Sequence, residues 1–401
     1  MRDPLKQSVD TPGARSVNAR DSTQSQVKLP LVSVVVPCKD RAIWLRPTID
    51  SILDQDYANL ECIVIDGGST DETLEILKSY GGRISWRSRP DRGPFDAINE
   101  GWQLGSGEIL AWLNADDVWE DGAVSKAVSF LLDHPGVDVV YGSCGVIDEL
   151  GIEKYVMEPR DWNLREAVLN CDHIIFQPAA FMKRRILEKV AWLYPAWNHD
   201  HDLWLRIALA GGVFKRTPEV LAHARDHPYN AGFVPSLFIE GKVGLTRRFF
   251  ETPLLPKELQ TLKKRSISNA YLRCIYYLSP RKLRSWPLSL KLLAKAAAAD
   301  PFNLPHLSNE IVSTGLTQVP VIGPLIGMTS RFVTRALRSA KRAPRVVLAL
   351  FTGTPFAAVS IALGVAAASN PSSVEAASAI FFYVSIPLIL LLALNELKRQ
   401  K

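Results

Sequence analysis

The chain has 401 residues, of which 47 % are hydrophobic and 22 % are charged, the balance of a globular protein with one or two domains. Its five cysteines form no C-x-x-C pair, which argues against a disulfide scaffold or structural zinc site and suits a reducing compartment. The net charge of +6 does not indicate nucleic-acid binding, because residues 331–345 alone hold six basic residues and no acid. Such a run directly before an apolar stretch indicates a membrane surface.

The chain divides into four predicted segments. Residues 1–28 are polar and lack the apolar region of a signal peptide, which predicts a disordered tail. Residues 29–234 have the patterning of a folded domain. Residues 235–345 predict a helical region, with helices at Lys257–Leu278 and Leu288–Ala299 and a basic amphipathic helix at Leu325–Ala340. Residues 346–401 predict two transmembrane helices and a short tail.

Residues 29–234 alternate short apolar runs with amphipathic stretches. Runs rich in β-branched residues predict buried strands at Leu31–Val36, Leu60–Ile65, Ile109–Leu113 and Val137–Tyr141. Helical periodicity predicts helices at Pro47–Leu53, Asp71–Tyr80 and Gly122–Leu132. This alternation predicts an α/β fold, a mostly parallel sheet with helices on both faces, and such sheets bind ligands at the carboxyl ends of their strands.

Two polar motifs follow predicted strands. Asp66 is followed by Gly67 and Gly68, an arrangement that suits ribose or base recognition, with an ordinary turn as the alternative. Residues 114–117, Asn-Ala-Asp-Asp, follow the strand that ends at Leu113. Adjacent carboxylates repel one another unless a cation neutralises them, so this pair suits Mg²⁺ or Mn²⁺ bridging a diphosphate; a turn or helix cap is the alternative.

Residues 198–202, Asn-His-Asp-His-Asp, precede a helical pattern. His199 and His201 are two residues apart and do not share a helix face, which disfavours a zinc site. A carboxylate at a helix start suits a general base or a cap, and Asp202 is the candidate for the cap. Three later side chains could contact a diphosphate or its metal: His223, Arg225 and His227. The alternative for each is an ordinary polar residue at the surface.

These motifs occur in the order found in glycosyltransferase family 2, which the sequence resembles over roughly residues 30–230. The segments that carry the resemblance are Leu31–Pro37, Asp66–Thr73, Asp91–Gly101, Gly107–Asp117 and Asp200–Arg206. The resemblance implies the GT-A fold and an inverting transferase that uses a nucleotide-sugar donor and a divalent metal, Mn²⁺ or Mg²⁺.

The resemblance also implies roles for individual residues. The implied nucleotide-sugar-binding residues are Pro37, Lys39, Asp40, Asp66, Asp91, Arg92 and Asn114. The implied metal ligands are Asp116, Asp117 and His227, and the implied catalytic base is Asp200. Two positions depart from the family pattern. Asn114 replaces the first Asp of D-x-D, and Gly67 replaces an Asp that in many relatives recognises uracil.

The last segment has the composition of a membrane hairpin. Residues 346–374 and 376–395 contain no charged residue, and each can supply the ~20 apolar residues that span a bilayer. Basic residues flank both outer ends, while the turn at residues 370–373 has none, so both ends are predicted to face the cytoplasm. The alternative is a buried helical hairpin of a soluble domain. We therefore predict a multi-pass protein of the cell's inner membrane, with its catalytic domain in the cytoplasm.

The predicted function is transfer of a sugar from a nucleotide-sugar to a hydroxyl of a lipid-linked or cell-envelope glycan, with no nucleic-acid partner. A membrane-tethered nucleotide-sugar-binding protein without catalysis is the alternative, and Asn114 favours it. A nucleotidyltransferase would need a basic phosphate-gripping loop after the first strand, and residues 36–41 offer only Lys39 and Arg41.

Overall fold

The computed structural model describes residues 29–170, 174–196, 198–228, 235–278, 286–300 and 303. Its centre is a nine-stranded sheet. The strands are β1 Val32–Cys38, β2 Leu60–Asp66, β3 Ser85–Ser88, β4 Ile109–Trp112, β5 Val118–Trp119, β6 Val139–Ile147, β7 Glu153–Met157, β8 Ala180–Lys183 and β9 Phe214–Arg225. The helices around it are α1 Ala42–Leu53, α2 Thr73–Ser79, α3 Pro94–Leu104, α4 Ala123–Asp133, α5 Leu164–Asn170, α6 Arg184–Lys189 and α7 His199–Leu209.

The sheet is mixed, and the prediction of a mostly parallel sheet is wrong. Strand order is β3-β2-β1-β4-β8-β6-β9-β5, with β7 paired to β6. The four strands β3, β2, β1 and β4 run parallel, because helices connect them. Strand β8 is antiparallel to both β4 and β6, and β6 turns directly into antiparallel β7 across residues 148–152. A connection that short permits only an antiparallel pair.

The four predicted strands are confirmed, and β6 continues to Ile147 rather than ending at Tyr141. The predicted start of α1 at Pro47 is wrong, since the helix begins at Ala42. Two side chains at the start of α2 and just before it accept the backbone N–H groups at this start: Asp71 Oδ2 from Ala42 at 3.1 Å and Thr73 Oγ1 from Arg41 at 3.2 Å. The cap of α1 is therefore about 30 residues away in sequence.

Strand β1 is buried on both faces. Val34 and Val36 belong to one hydrophobic cluster, whereas Val35 belongs to the cluster on the opposite face. Helix α3 packs directly on β1 at Gly101, where a Cβ atom would lie 2.5 Å from a methyl carbon of Val35. This close approach brings the loop before α3 to the carboxyl end of β1.

The chain continues into α8 Pro235–Phe249, α9 Lys257–Gln260, α10 Lys263–Leu278 and α11 Trp286–Ala299. The single helix predicted at Lys257–Leu278 is two helices, α9 and α10. Helix α10 is bonded to α5, since Ser266 Oγ donates to the Val168 carbonyl at 2.7 Å. No helix in the described ranges is long and apolar enough to cross a bilayer. The predicted tail at 1–28, the helix at Leu325–Ala340 and the hairpin at 346–395 lie outside the described residues.

Candidate active site

A cleft of about 530 Å³ lies at the carboxyl ends of the parallel strands. The ends of β1 and β2 are adjacent, because Cys38 pairs with Asp66, and β4 lies beside β1. Seven predicted site residues line the cleft: Pro37, Lys39, Asp91, Asn114, Asp116, Asp117 and Asp200. The other four predicted residues, all described, are not among those that line it: Asp40, Asp66, Arg92 and His227.

Asp66 is fully buried and its carboxylate organises the loop after β2. Oδ2 accepts the backbone N–H groups of Gly68 and Ser69 at 3.1 and 3.0 Å and the Ser88 hydroxyl at 2.6 Å, while Oδ1 accepts the Ser69 hydroxyl. Burial by itself raises the pKa of a carboxyl, but these hydrogen bonds outweigh it and hold the pKa of Asp66 below its usual value. Its contact with a nucleoside stays a prediction.

Replacement of Asp66 by Asn is expected to destabilise the protein at pH 7 by roughly 1–3 kcal/mol, because buried donors lose their acceptor. Since the folded pKa lies below the unfolded one, the ionised carboxylate stabilises the fold above the unfolded pKa of ~3.9, and this stabilisation is lost as pH falls through the folded pKa. The difference in the free energy of unfolding between variant and wild type should therefore become smaller in acid. Urea denaturation at several pH values measures it, with exposed Asp121→Asn as control. Equal stability at pH 7 would contradict the assignment.

Asp40 ties the loop after β1 to the loop after β2. Its backbone is left-handed, with φ of 50°, a conformation that Asp tolerates better than most residues. Its Oδ1 accepts the backbone N–H of Thr70 at 2.8 Å, and its own N–H donates to the Ser69 hydroxyl at 2.7 Å. Asp40 thus fixes the wall of the cleft through its neighbours.

The departure at Gly67 has a structural consequence. A Cβ atom at Gly67 would lie 2.9 Å from Asp91 Oδ2, so any side chain there would displace this carboxylate. Asp91 Oδ1 accepts the N–H of Gly93 at 2.9 Å and lines the cleft. Arg92 is exposed instead and pairs with Asp96 at 2.6 Å. The glycine therefore lets Asp91 approach the end of β2.

Asp116 lies among cationic and aromatic groups. Its Oδ2 is 3.0 Å from His227 Nε2 and 3.8 Å from Arg41 Nε. His227 is only 2 % exposed, and its ring stacks on Trp44 with centroids 4.1 Å apart. The structure therefore brings together two of the predicted metal ligands, Asp116 and His227, which are 111 residues apart in the chain.

Asp117 faces inward. Its Oδ1 accepts the backbone N–H of Arg225 at 3.0 Å, and its Oδ2 accepts Asn114 Nδ2 at 3.0 Å. Burial, followed by repulsion from Asp116, raises the pKa of Asp117, against the effect of these two donors. Asp117 thus joins β5 to β9, and Arg225, a late candidate from the sequence, lines the cleft.

The chemistry of this region fits a divalent cation at Asp116. A carboxylate oxygen and an imidazole nitrogen converge there, whereas both oxygens of Asp117 already accept hydrogen bonds. Among the described residues no group of three or more His, Cys, Asp or Glu side chains could hold a metal. Mg²⁺ commonly takes one or two carboxylates and completes its shell with substrate phosphates and water, so one carboxylate suits a cation that arrives with a diphosphate.

Helix α7 carries Asp200 in its first turn and brings it to the cleft. Carboxylates at this end are stabilised by the helix dipole. The prediction that Asp202 caps α7 is wrong: Asn198 occupies the N-cap position, and Asp202 accepts Arg206 Nε at 2.7 Å one turn along. His199 also lines the cleft, and burial lowers the pKa of its imidazole, which favours the neutral form.

Gln177 was not predicted from the sequence, and it lines the cleft in a short turn at Gln177–Ala179. Its Nε2 donates to the Trp112 carbonyl at 2.6 Å, and its Oε1 accepts Asn114 Nδ2 at 3.2 Å. A single Gln forms no pattern, and only the following Pro178 indicates a turn. His223, the remaining late candidate, pairs with Glu120 at 2.5 Å and does not line the cleft.

Comparisons with known proteins agree with this geometry. The sequence profile described as Glycosyl transferase family 2 matches residues 33–190. An uncharacterized glycosyltransferase of Rickettsia typhi is 30 % identical over 207 residues, which cover 49 % of this chain and 64 % of that relative, so the match spans less than two thirds of its length.

Two solved structures share the fold. One is Staphylococcus aureus TarS 1-349 in complex with UDP-GlcNAc, with a TM-score of 0.51, 16 % identity and coverage of 78 % of this chain and 91 % of that one. The other is the mannosyltransferase PcManGT of Pyrobaculum calidifontis in complex with GDP-Man and Mn²⁺, with a TM-score of 0.50, 20 % identity and coverage of 73 % and 88 %. The mixed α/β sheet is that of the GT-A fold. Residues 33–190 of the chain are thus similar to glycosyltransferase family 2.

Proposed function

We propose that the protein is an inverting glycosyltransferase that moves a sugar from a nucleotide-sugar to a hydroxyl of a lipid-linked or cell-envelope glycan. The observation that carries this proposal is that Asp116 and Asp200 line one cleft at the carboxyl ends of parallel strands. One carboxylate lies beside cationic groups, and the other begins a helix. A nucleotide-sugar donor is further supported by the family match at residues 33–190 and by the UDP-GlcNAc and GDP-Man named for the two structural neighbours.

The donor diphosphate would lie near Asp116. This part of the cleft is lined by Lys39, Arg41 and Arg225. Their positive charge would offset the negative charge of a leaving nucleoside diphosphate. Arg225 is fixed there, since its Nε donates to the Asp116 carbonyl at 2.9 Å. Asp116, with His227 beside it, would hold a divalent metal, which when bound supplies Lewis-acid stabilisation of the departing diphosphate.

Asp200 would take the proton of the acceptor hydroxyl as that oxygen attacks the anomeric carbon. Attack opposite the leaving nucleotide inverts the anomeric configuration and needs no covalent intermediate. The cysteines described support this route, because Cys38, Cys62 and Cys144 are buried and burial raises the pKa of each thiol. Thiols held in the protonated form are poor nucleophiles.

A screen of UDP-, GDP- and dTDP-sugars for nucleotide release, with and without glycan acceptors, tests the proposed activity. Release with one donor, and acceptor-dependent product of inverted configuration, would support it. The second candidate, a nucleotide-sugar-binding protein without catalysis, is favoured by Asn114, whose amide donates to Asp117 and Gln177 in place of a carboxylate. Tight donor binding without release under any condition would favour that candidate.

We further propose that residues 346–374 and 376–395 anchor the protein in the inner membrane with its catalytic domain in the cytoplasm, because both stretches are uncharged and basic residues flank their outer ends. The full chain should sediment with membranes and resist alkaline carbonate, while a chain ending near Thr329 should be released. Tags at residues 1 and 401 should both report the cytoplasmic side. Protease cleavage of residues 370–375 from the cytoplasmic side alone would contradict this topology.

A further inference from the structure

The loop between α6 and α7 has a constrained backbone. Ala191 and Trp192 both have left-handed backbone angles, with φ of 58° and 65°. Non-glycine residues adopt this region only where the surrounding structure holds them, and such residues cluster at functional sites. The loop directly precedes Asn198 and the first turn of α7, which carries Asp200. Whatever holds this loop also determines where α7 begins.

Asn99 of α3 is hydrogen-bonded to one side of the loop. Its Nδ2 donates to the Leu193 carbonyl at 2.8 Å, and its Oδ1 accepts the Leu193 N–H at 2.9 Å. A single amide side chain therefore satisfies both backbone groups of one residue that lies 94 positions along the chain. Such a pair of bonds fixes the orientation of the Leu193 peptide groups as well as their distance from α3.

Arg206 of α7 contacts the loop from the other side. Its Nη1 donates to the Val190 carbonyl at 2.5 Å, and its guanidinium stacks on the ring of Tyr194 at 4.1 Å. Asp202 holds this guanidinium at 2.7 Å. The loop is thus bound to α3 at Leu193 and to α7 at the residues on either side of Leu193, Val190 and Tyr194. Helices α3 and α7 are therefore linked through the loop.

Both linked helices contribute to the cleft. Pro94 and Ala97, in the first turn of α3, line it, as do His199 and Asp200 of α7. A chain of contacts runs between them: Asn99 is hydrogen-bonded to Leu193, Ala196 N–H donates to the Tyr194 carbonyl at 2.8 Å, and Arg206 of α7 stacks on the Tyr194 ring. The amide of Asn99 is the point at which this chain meets α3.

We propose that Asn99 is a positioning residue for sugar transfer, which sets the place of Asp200 relative to the donor by fixing the Leu193 loop. This inference rests on the proposed function, in which Asp200 is the base. Asn99 lies in α3, whereas the cationic groups proposed to face the donor diphosphate lie in the loop after β1 and at the end of β9, so we expect loss of its amide to affect the acceptor step more than donor binding. A misplacement of about 1 Å at a reacting group can lower a rate by ~10²-fold.

The test uses the full chain in detergent, with Asn99→Ala and Asn99→Asp compared with wild type. Asn59→Ala is the matched control, since Asn59 Nδ2 also donates to a backbone carbonyl, that of Leu29 at 2.9 Å, at the opposite end of the sheet. Asn99→Ala is expected to lower kcat for transfer by ~10- to 100-fold with the donor KM changed less than about twofold. Asn59→Ala should leave both unchanged.

Asn99→Asp provides a readout that a merely structural role would not move. An ionised Asp accepts the Leu193 N–H but cannot donate to its carbonyl, whereas the protonated acid does both. The ratio of Asn99→Asp to Asn99→Ala activity should therefore rise as pH falls. Circular dichroism of each variant verifies folding, and hydrogen exchange at the Leu193 amide should be faster in Asn99→Ala.

The outcomes separate the two proposals. A wild-type protein that transfers sugar, together with Asn99→Ala at the same kcat, overturns the role of Asn99. A flat Asn99→Asp to Asn99→Ala ratio across pH also overturns it. A wild-type protein that transfers no sugar overturns the proposed function itself, and unchanged exchange at Leu193 would then show separately that Asn99 does not hold the loop.

Discussion

Replacement of Asp200 by Asn is expected to lower the rate of sugar transfer by about 10²-fold or more, with little change in donor KM. The amide keeps the shape of the side chain but cannot accept the proton of the attacking hydroxyl. Donor binding should persist, because Lys39 and Arg41, which we propose face the diphosphate, lie in the loop after β1 and not in α7. Initial rates of acceptor glycosylation at saturating donor measure the effect.

Asp202→Asn is the matched control, because Asp202 lies in the same turn of α7. Its carboxylate is engaged by Arg206 at 2.7 Å, so its loss should lower stability by roughly 1–3 kcal/mol and should lower the transfer rate far less than loss of Asp200, through a less firmly held Arg206. Near wild-type transfer by Asp200→Asn, combined with a folded but inactive Asp202→Asn, would show that the base is the other carboxylate.

Strands β1, β2 and β4 of the parallel part could be predicted from the sequence because they are largely buried, whereas the exposed strand β3 was not predicted. Strand β1 is an uninterrupted apolar run apart from Ser33, and β4 is likewise fully buried. Strands β5 and β8 could not be predicted in this way, since two and four residues are too short for a period to emerge. The mixed order of the sheet depends on these short strands.

The start of α1 illustrates a second limit. Helical periodicity predicted a helix that begins at Pro47. The true start at Ala42 depends on Asp71 and Thr73, which lie around the start of α2 and accept the N–H groups of Ala42 and Arg41. A cap supplied by distant residues leaves no local signature. Pattern reasoning therefore located the helix but placed its beginning five residues late.

The candidate site divides along similar lines. Carboxylates that follow a strand or lie at a helix start are visible in the sequence, and Asp116 and Asp200, one of each kind, both reach the cleft. What each carboxylate does there depends on partners from far along the chain. The carboxylate of Asp66 accepts hydrogen bonds from Ser69 and Ser88, and that of Asp117 accepts one from the Arg225 backbone. Both carboxylates are therefore already used within the protein in a way that Asp116 is not. Spacing alone does not distinguish these cases.

Removal of divalent metal by EDTA is expected to abolish sugar transfer, and Mn²⁺ or Mg²⁺ is expected to restore it. The reason is electrostatic: Asp116 adds negative charge next to a leaving diphosphate, and a cation must offset both. Lewis-acid stabilisation is worth several kcal/mol, so the rate should fall by ~10²- to 10³-fold. Metal titration of the activity measures the effect and gives the apparent affinity of the wild-type site.

Asp116→Asn extends this test to the residue itself. The variant should lose most of its activity and need far more metal to recover any, because an amide oxygen carries no charge and is a weaker ligand than a carboxylate. Asp133→Asn, at the exposed end of α4, should behave as wild type. Full activity after chelation would instead show that the cleft neutralises the diphosphate with Lys39, Arg41 and Arg225 alone. Asp116 would then serve to hold Arg41 and His227, at 3.8 and 3.0 Å, in place beside it.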